Sequence, residues 1–353
     1  MKAVYFEEFG ETPRVETVPE PQAEPDGVVV SVQATGICRS DWHGWMGHDG
    51  DVQLPHVPGH ELAGVVSRVG RDVQHWKLGD RVTAPFAIGC GRCRQCVAGR
   101  QHICDDYFQP GFTGWGSFAE RVAIRYADVN LVALPAGVDF VTAAVLGCRF
   151  ITAFRAVAHQ GRAGAGQWLA VHGCGGVGLS AIMIGAALGA EVIGVDVKEE
   201  ALAMARSLGV THTVNAAETP NVAEAIRELS DGGAHVSLDA LGSSETCHNS
   251  ILCLRKQGRH VQVGLMVGTD SRASLPMAEV IGRELTLVGS HGMPAHDYPE
   301  MLRMIQSGKL QPQKLVRRRI SLTEAPRALE AMGAFETAGV TCLLYTSDAA
   351  DEE

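Results

Sequence analysis

The sequence lacks a surplus of positive charge, an apolar leader, a run of about 18 apolar residues and any internal repeat, and each absence removes a class of protein. The net charge is −10. A duplex binder needs a basic face to displace counterions, so nucleic acid is a poor partner. The consecutive Arg317, Arg318 and Arg319 are too short a run to change this and read as solvated surface. The start, Met1 to Glu8, has no apolar stretch of the signal-peptide kind, so a cytoplasmic protein without membrane partners is expected. No low-complexity tract appears, and 46% hydrophobic with 20% charged residues suits an ordinary globular chain. Its 353 residues exceed one domain of usual size, so two are expected.

Up to about Leu134 short β-like runs such as Val28–Val32 and Leu62–Val66 alternate with Gly, Pro and Asp turns, which predicts a β-rich domain. From about Ala143 strands alternate with helical segments, the pattern of a parallel sheet covered by helices. Strands are predicted at Trp168–His172, Glu191–Val195, His212–Val214, His235–Asp239, Arg259–Val263 and Leu285–Val288. Helices fit between them at Val177–Leu188, Glu199–Leu208, Val222–Leu229 and Thr246–Leu254, with another at about Tyr298–Ser307. The stretch 342–353 reads as foreign to the fold, like translated adapter sequence, and is set aside as a tail. Without its four acids the net charge is −6, so the acidic balance stands.

What the sequence has is cysteine, ten in all, which in a reducing compartment points to metal or catalysis rather than disulfides. Cys90, Cys93, Cys96 and Cys104 form C-x2-C-x2-C-x7-C in one loop. Four thiolates close a tetrahedral shell around zinc and leave no position for substrate, so the site would be structural. An iron–sulfur cluster uses similar spacings and stays open as a rival at this point, as does a zinc-ribbon binding module.

Gly173-Cys-Gly175-Gly176-Val177-Gly178 supplies G-x-G-x-x-G between a predicted strand and a predicted helix. Glycines there allow a tight turn and a close approach of backbone and helix N-terminus to a pyrophosphate. Eighteen residues past Gly178, Asp196 ends the next predicted strand, where a carboxylate binds ribose hydroxyls and repels a 2′-phosphate. NAD is therefore favoured over NADP, although Lys198 could pair with a phosphate. The plainer reading of Asp196 is a cap for the following helix.

Three further segments contain possible ligands: Gly36-Ile-Cys38-Arg39-Ser40-Asp41-Trp42-His43, Gly59-His60-Glu61-x2-Gly64-x5-Gly70 and Leu146-Gly147-Cys148. Taken together and in this order with the cysteine loop and the nucleotide fingerprint, they resemble the zinc-dependent medium-chain alcohol dehydrogenases over nearly the whole chain to about Thr341. The resemblance implies an α/β protein. Residues 1–153 and 290–341 would form a β-rich GroES-like catalytic domain, and 154–289 a Rossmann doubly wound parallel sheet that binds NAD. It implies a catalytic zinc on Cys38, His60 and Cys148, with Glu61 as a neighbouring carboxylate able to exchange onto the metal and Asp41 supporting the ligands. Such a set leaves a fourth position for water or an alcohol, and zinc lowers the pKa of bound water to about 7. The resemblance also implies a proton relay through Ser40 and His43, with a mere surface residue as the lesser reading of His43. It places Arg39, Thr152 and Leu265 among the cofactor contacts, Phe86 at the substrate pocket, and Trp42, Trp45 and Trp115 as possible pocket walls. Gly289-Ser-His291-Gly marks a possible backbone contact with the nicotinamide.

The expected function is reversible hydride transfer between a primary or secondary alcohol and NAD, by a homodimer or homotetramer with two zincs per chain. A polyol or formaldehyde dehydrogenase of the same fold is the nearest rival, with Cys148 as third ligand favouring simple alcohols. A metal-free quinone reductase of the same fold is set against by the cysteine loop. From another class comes a zinc-containing binding protein without catalysis.

Overall fold

The computed structural model describes residues 1–334 and 339–345. They form two compact units, one of Met1–Ile151, Gly292–Gln306 and the described residues from Val316 on, the other of Thr152–His291 and Ser307–Leu315.

The second unit is built on a six-stranded parallel sheet. Its spatial order is His212–Asn215, Glu191–Asp196, Trp168–His172, Ala234–Asp239, Leu254–Gln262 and Thr286–Gly289. Numbered along the chain this is 3-2-1-4-5-6, the doubly wound arrangement whose ligands bind outside the carboxyl ends of the strands where the order reverses. Strands buried on both faces need continuous apolar runs, and Leu169, Ala170 and Val171 are each fully buried. The helices Gly176–Ala187, Glu199–Ser207, Val222–Leu229 and Ser244–Leu252 cover the sheet. Local caps fix two of their starts: Asn221 accepts from the Glu224 N–H at 3.1 Å and Ser243 from that of Thr246 at 3.1 Å. The fifth strand begins at Leu254 rather than at the predicted Arg259, because its register slips between the Ala234 and Val236 pairings and the bulge hides its first residues.

In the first unit Val28–Ile37 and Glu61–Val69 pair antiparallel at the centre of a larger sheet, and both outlast the short runs predicted for them. Two register shifts bend this pair, between Val29 and Val30 and between Val32 and Ala34. The sheet corrects one expectation. Cys342, Leu343 and Leu344, assigned above to a foreign tail, lie in the strand Val340–Leu344, antiparallel to Val28–Ile37 and parallel to Val316–Ser321. Cys342 and Leu343 are fully buried and the Tyr345 hydroxyl donates to the Ser117 carbonyl at 2.7 Å, so apolar content alone fits this stretch to the core. The rest of the tail, 346–353, lies outside the described residues.

The helical stretch Phe140–Gly161 has 22 residues and a mean hydropathy of 1.6 in its most apolar window, enough by length and composition to cross a membrane. Arg149 and Arg155 break the run when the sequence is read residue by residue. In the structure 78% of that window is buried, as in a core helix.

Candidate active site

Two groups of ligand-type side chains converge in the first unit. In each, the candidate ligand atoms all lie within 4.8 Å of one another.

The first group is Cys90, Cys93, Cys96 and Cys104. Its loop aims backbone N–H groups at the sulfurs: Cys93 donates to Cys90 at 3.4 Å, Cys96 to Cys93 at 3.4 Å, and Cys90 and Asp106 to Cys104 at 3.3 Å each. Backbone donors from Asp105 and Cys96 bring the Cys93 thiol down to about 7, towards the thiolate form that binds metal. Four sulfurs in a shell their own loop completes suit a closed tetrahedral zinc.

The second group is Cys38, His60, Glu61 and Cys148, drawn from three distant segments. Cys38 follows the central strand Val28–Ile37 and caps the helix Arg39–Trp45. His60 precedes the neighbouring strand, which Glu61 opens. Cys148 sits in a widened helical turn, Leu146–Phe150, of the kind often found at functional sites. Asp41, only 1% exposed, binds the assembly together. Its carboxylate accepts from the Cys38 N–H at 2.8 Å and the Gly59 N–H at 3.1 Å, and holds His60 Nδ1 at 2.8 Å. That leaves His60 Nε2 buried without a hydrogen-bond partner, beside two sulfurs. An imidazole nitrogen left bare, with a carboxylate fixing the other side of the ring, has the surroundings that a metal-binding histidine needs. The thiol hydrogen bond from Cys148, joined by Arg149 and His60 against the effect of burial, holds Cys38 well below the usual thiol value. The same bond and burial raise Cys148. Two sulfurs and one imidazole nitrogen make the donor set of a catalytic zinc.

Glu61 is fully buried, and Arg149 grips it with both arms of its guanidinium: Nε donates to Oε1 at 2.8 Å and a terminal nitrogen to Oε2. The Arg149 backbone N–H adds a third bond to Oε1 at 3.2 Å. Burial pushes the Glu61 carboxyl above its usual range, against the pull of Arg149. Arg149 escapes the sequence reading because it is one arginine in an apolar helix, 88 positions from its partner.

The aromatic surroundings divide. Phe112 and Phe86 stand edge-on to the His60 ring, with centroids at 5.4 and 6.3 Å, and are nearly buried. Phe86 is named by the resemblance, with a core phenylalanine as an equal reading, whereas Phe112 carries no sequence motif. The indole N–H groups of Trp45 and Trp115 donate to the carbonyls of Glu11 at 2.6 Å and Pro55 at 3.0 Å. Trp42 packs under Arg39, whose guanidinium carbon lies 4.7 Å from the ring centroid and whose Nη1 donates to the Met332 carbonyl at 2.5 Å. Ser40 Oγ lies 3.8 Å from Cys38 Sγ, and His43 Nδ1 meets His48 Nδ1 at 3.0 Å, a neighbour the sequence did not single out.

In the second unit the turn Gly173–Gly178 leaves the first strand and enters the helix Gly176–Ala187, with Val177 in its first turn. Gly178 has no alternative, because a Cβ there would lie 1.7 Å from the Gly173 carbonyl oxygen. The Asp196 carboxylate has two backbone partners. One carboxylate oxygen accepts from the Cys174 N–H at 2.7 Å, tying the turn to the second strand, and the other from the Lys198 N–H at 2.9 Å at the head of the next helix. Thr152 Oγ1 is buried without a hydrogen-bond partner, Leu265 is 59% exposed and His291 is exposed.

Known proteins agree with this geometry. The alcohol dehydrogenase GroES-like domain family matches residues 24–136 and the zinc-binding dehydrogenase family residues 176–307. An NAD-dependent alcohol dehydrogenase of Sulfurisphaera tokodaii is 32% identical over 96% of this chain and 98% of its own. Among solved structures, the alcohol dehydrogenase TADH from Thermus sp. ATN1 superposes with a TM-score of 0.89 at 32% identity, covering 98% of this chain and 99% of that one. Benzyl alcohol dehydrogenase from Acinetobacter calcoaceticus gives 0.90 at 27% identity, with 98% and 99% covered. With two zinc-type ligand groups in one unit, a dinucleotide-type turn in the other, and relatives matched end to end, the chain belongs to the zinc-dependent medium-chain alcohol dehydrogenases.

Proposed function

We propose that this protein oxidises primary or secondary alcohols reversibly to aldehydes or ketones with NAD, using a catalytic zinc on Cys38, His60 and Cys148 and a structural zinc on Cys90, Cys93, Cys96 and Cys104. The observation that carries this reading is the bare, buried Nε2 of His60, pinned by Asp41 beside two cysteine sulfurs. Zinc in that group supplies a Lewis acid that makes a hydroxyl beside it far more acidic.

The chain's own residues do the rest. Asp41 fixes the tautomer of His60, so that its Nε2 and not an N–H faces the sulfurs. Phe86 and Phe112 keep water from that ring. Ser40 takes the substrate hydroxyl proton and His43 passes it on, with burial, Arg39 and His48 holding the imidazole below its usual value and so unprotonated at neutral pH. The N-terminus of Gly176–Ala187 receives the pyrophosphate of NAD, with Arg39 as a further cationic contact, while Lys198, two residues past Asp196, would pair with a 2′-phosphate and so soften the preference for NAD. Each Asp196 oxygen accepts one backbone N–H, which leaves lone pairs for two ribose hydroxyls and a charge that repels a 2′-phosphate. Thr152 and Leu265 would line the nicotinamide and adenosine contacts.

The unit holding both ligand groups would be the catalytic domain and the parallel-sheet unit the cofactor domain. A homo-oligomer is supported by Leu275, Met277 and Ile281, at 40, 51 and 74% exposure near the edge strand Thr286–Gly289. A cytoplasmic setting suits ten unpaired cysteines.

The test is nicotinamide absorbance with a panel of primary, secondary and aromatic alcohols, and NAD and NADP in parallel, on protein of known metal content. Two zincs per chain and turnover preferring NAD are expected. Two zincs with no turnover on any pair would replace this reading with a zinc-containing binding protein.

A further inference from the structure

A carboxylate next to a zinc ligand is a hazard to an open site. Glu61 follows His60 directly, and one of its carboxylate oxygens lies within the same 4.8 Å as the other candidate ligand atoms. Carboxylates bind zinc at about 2.0–2.2 Å, so a free Glu61 would be a fourth protein ligand and would close the position a substrate needs.

The fold does not leave it free. Both oxygens are taken by the planar fork of Arg149, with the Arg149 backbone N–H as a third donor. Neither partner reaches water, with Glu61 fully buried and Arg149 only 5% exposed. The space is kept for them by Gly36, where a Cβ would come within 2.0 Å of Glu61 Oε2 and 2.9 Å of an Arg149 terminal nitrogen. Arg149 also follows Cys148 in the chain, so the group holding the carboxylate is covalently joined to one of the sulfur ligands. Alanine at position 36 would displace the pair, and lysine at 149 would lose the two-pronged geometry that only a guanidinium offers.

We infer that Arg149 is a positioning residue that clamps Glu61 off the metal, so that Cys38, His60 and Cys148 hold the ion as three protein ligands with a fourth place open. The inference rests on the reading of those three residues as zinc ligands. It differs from a role in neutralising a buried charge, because it concerns where the carboxylate goes once released.

The test reads coordination rather than turnover. Cobalt is exchanged into the folded protein, and the visible band that disappears in Cys38→Ala is assigned to this group. The wild type should show the intense absorption of a four-coordinate ion. Arg149→Gln should keep the intensity of a four-coordinate ion but shift the band as a carboxylate oxygen takes the fourth place, and should give up its metal to a chelator about tenfold more slowly, at the low end of what supporting residues do to metal binding. Arg149→Lys should fall between, and serves as the test where the glutamine variant does not fold. The double variant Glu61→Gln/Arg149→Gln, with no carboxylate to swing in, should return to the wild-type spectrum and release rate. Unchanged spectra and release in folded Arg149→Lys and Arg149→Gln would overturn the clamp alone. Failure of the wild type to bind any metal through Cys38 would overturn the ligand reading beneath it.

Discussion

The two ligand groups of the first unit hold their side chains in opposite ways. The cysteine loop gathers four sulfurs from fifteen consecutive residues and orients them with its own backbone N–H groups. The Cys38 group gathers ligands from three segments and orients them with other side chains, Asp41 on one flank and the Arg149–Glu61 pair on the other. A local loop can close around a metal and stabilise the fold without help. A dispersed group needs a supporting shell, and that shell can leave one side open for chemistry.

Removing one ligand from each group is the strongest way to break this comparison. Cys38→Ala should lose one of two zincs and turnover on the order of a thousandfold, because the Lewis acid contributes several kcal/mol to charge stabilisation. Its unfolding temperature should barely move, since strands and not metal hold that region. Cys96→Ser should do the reverse in kind: it loses the other zinc and the unfolding midpoint drops by about 10 °C or more, as binding energy at a structural site is folding energy. Metal analysis and thermal unfolding of both variants check the pair. Equal loss of stability in the two would erase the distinction between a closed structural group and an open catalytic one.

A milder perturbation tests the supporting shell. Asp41→Asn preserves shape but removes the charge that orients His60 and accepts from Cys38 and Gly59. Zinc affinity at this group should fall about 10- to 100-fold, with the cysteine loop keeping its metal. Competition with a chelator, followed by metal analysis, separates the two groups.

The same contrast decides what sequence could reveal. The cysteine loop and the glycine turn are contiguous, so spacing alone carried their chemistry, and the parallel unit's strands follow from local apolar runs to within a residue or two except where the register slips at Leu254. Asp41 was reached only through resemblance. Arg149, Phe112 and His48 were not reached at all, because each acts through a partner that folding brings near rather than through a motif. The strand Val340–Leu344 was hidden for a related reason: five residues after Gly339 gain their meaning from Val28–Ile37, some three hundred positions away.

Two buried histidines carry the comparison into the other unit, with the smallest expected effect. His60 has a carboxylate at 2.8 Å and a bare nitrogen for a metal. His172, 1% exposed at the end of the central parallel strand, has no such partner; its Nε2 faces Cys253 Sγ at 3.7 Å. Burial, with a smaller push from His260, lowers His172 to about 3, so it is neutral in the folded state. The unfolded chain titrates it near 6.5. Below that pH the unfolded state takes up a proton the folded state refuses, and stability that is fully present above 6.5 drains away as the pH falls towards 3. Between pH 6.5 and 5 this amounts to about 2 kcal/mol. Chemical unfolding at pH 7 and pH 5 should therefore show a loss for the wild type that His172→Asn reduces by about that amount, whatever the other groups contribute to both. An equal loss in the variant would mean that His172 meets its proton in the fold as readily as in the open chain, and that burial without a partner does not set it apart from His60.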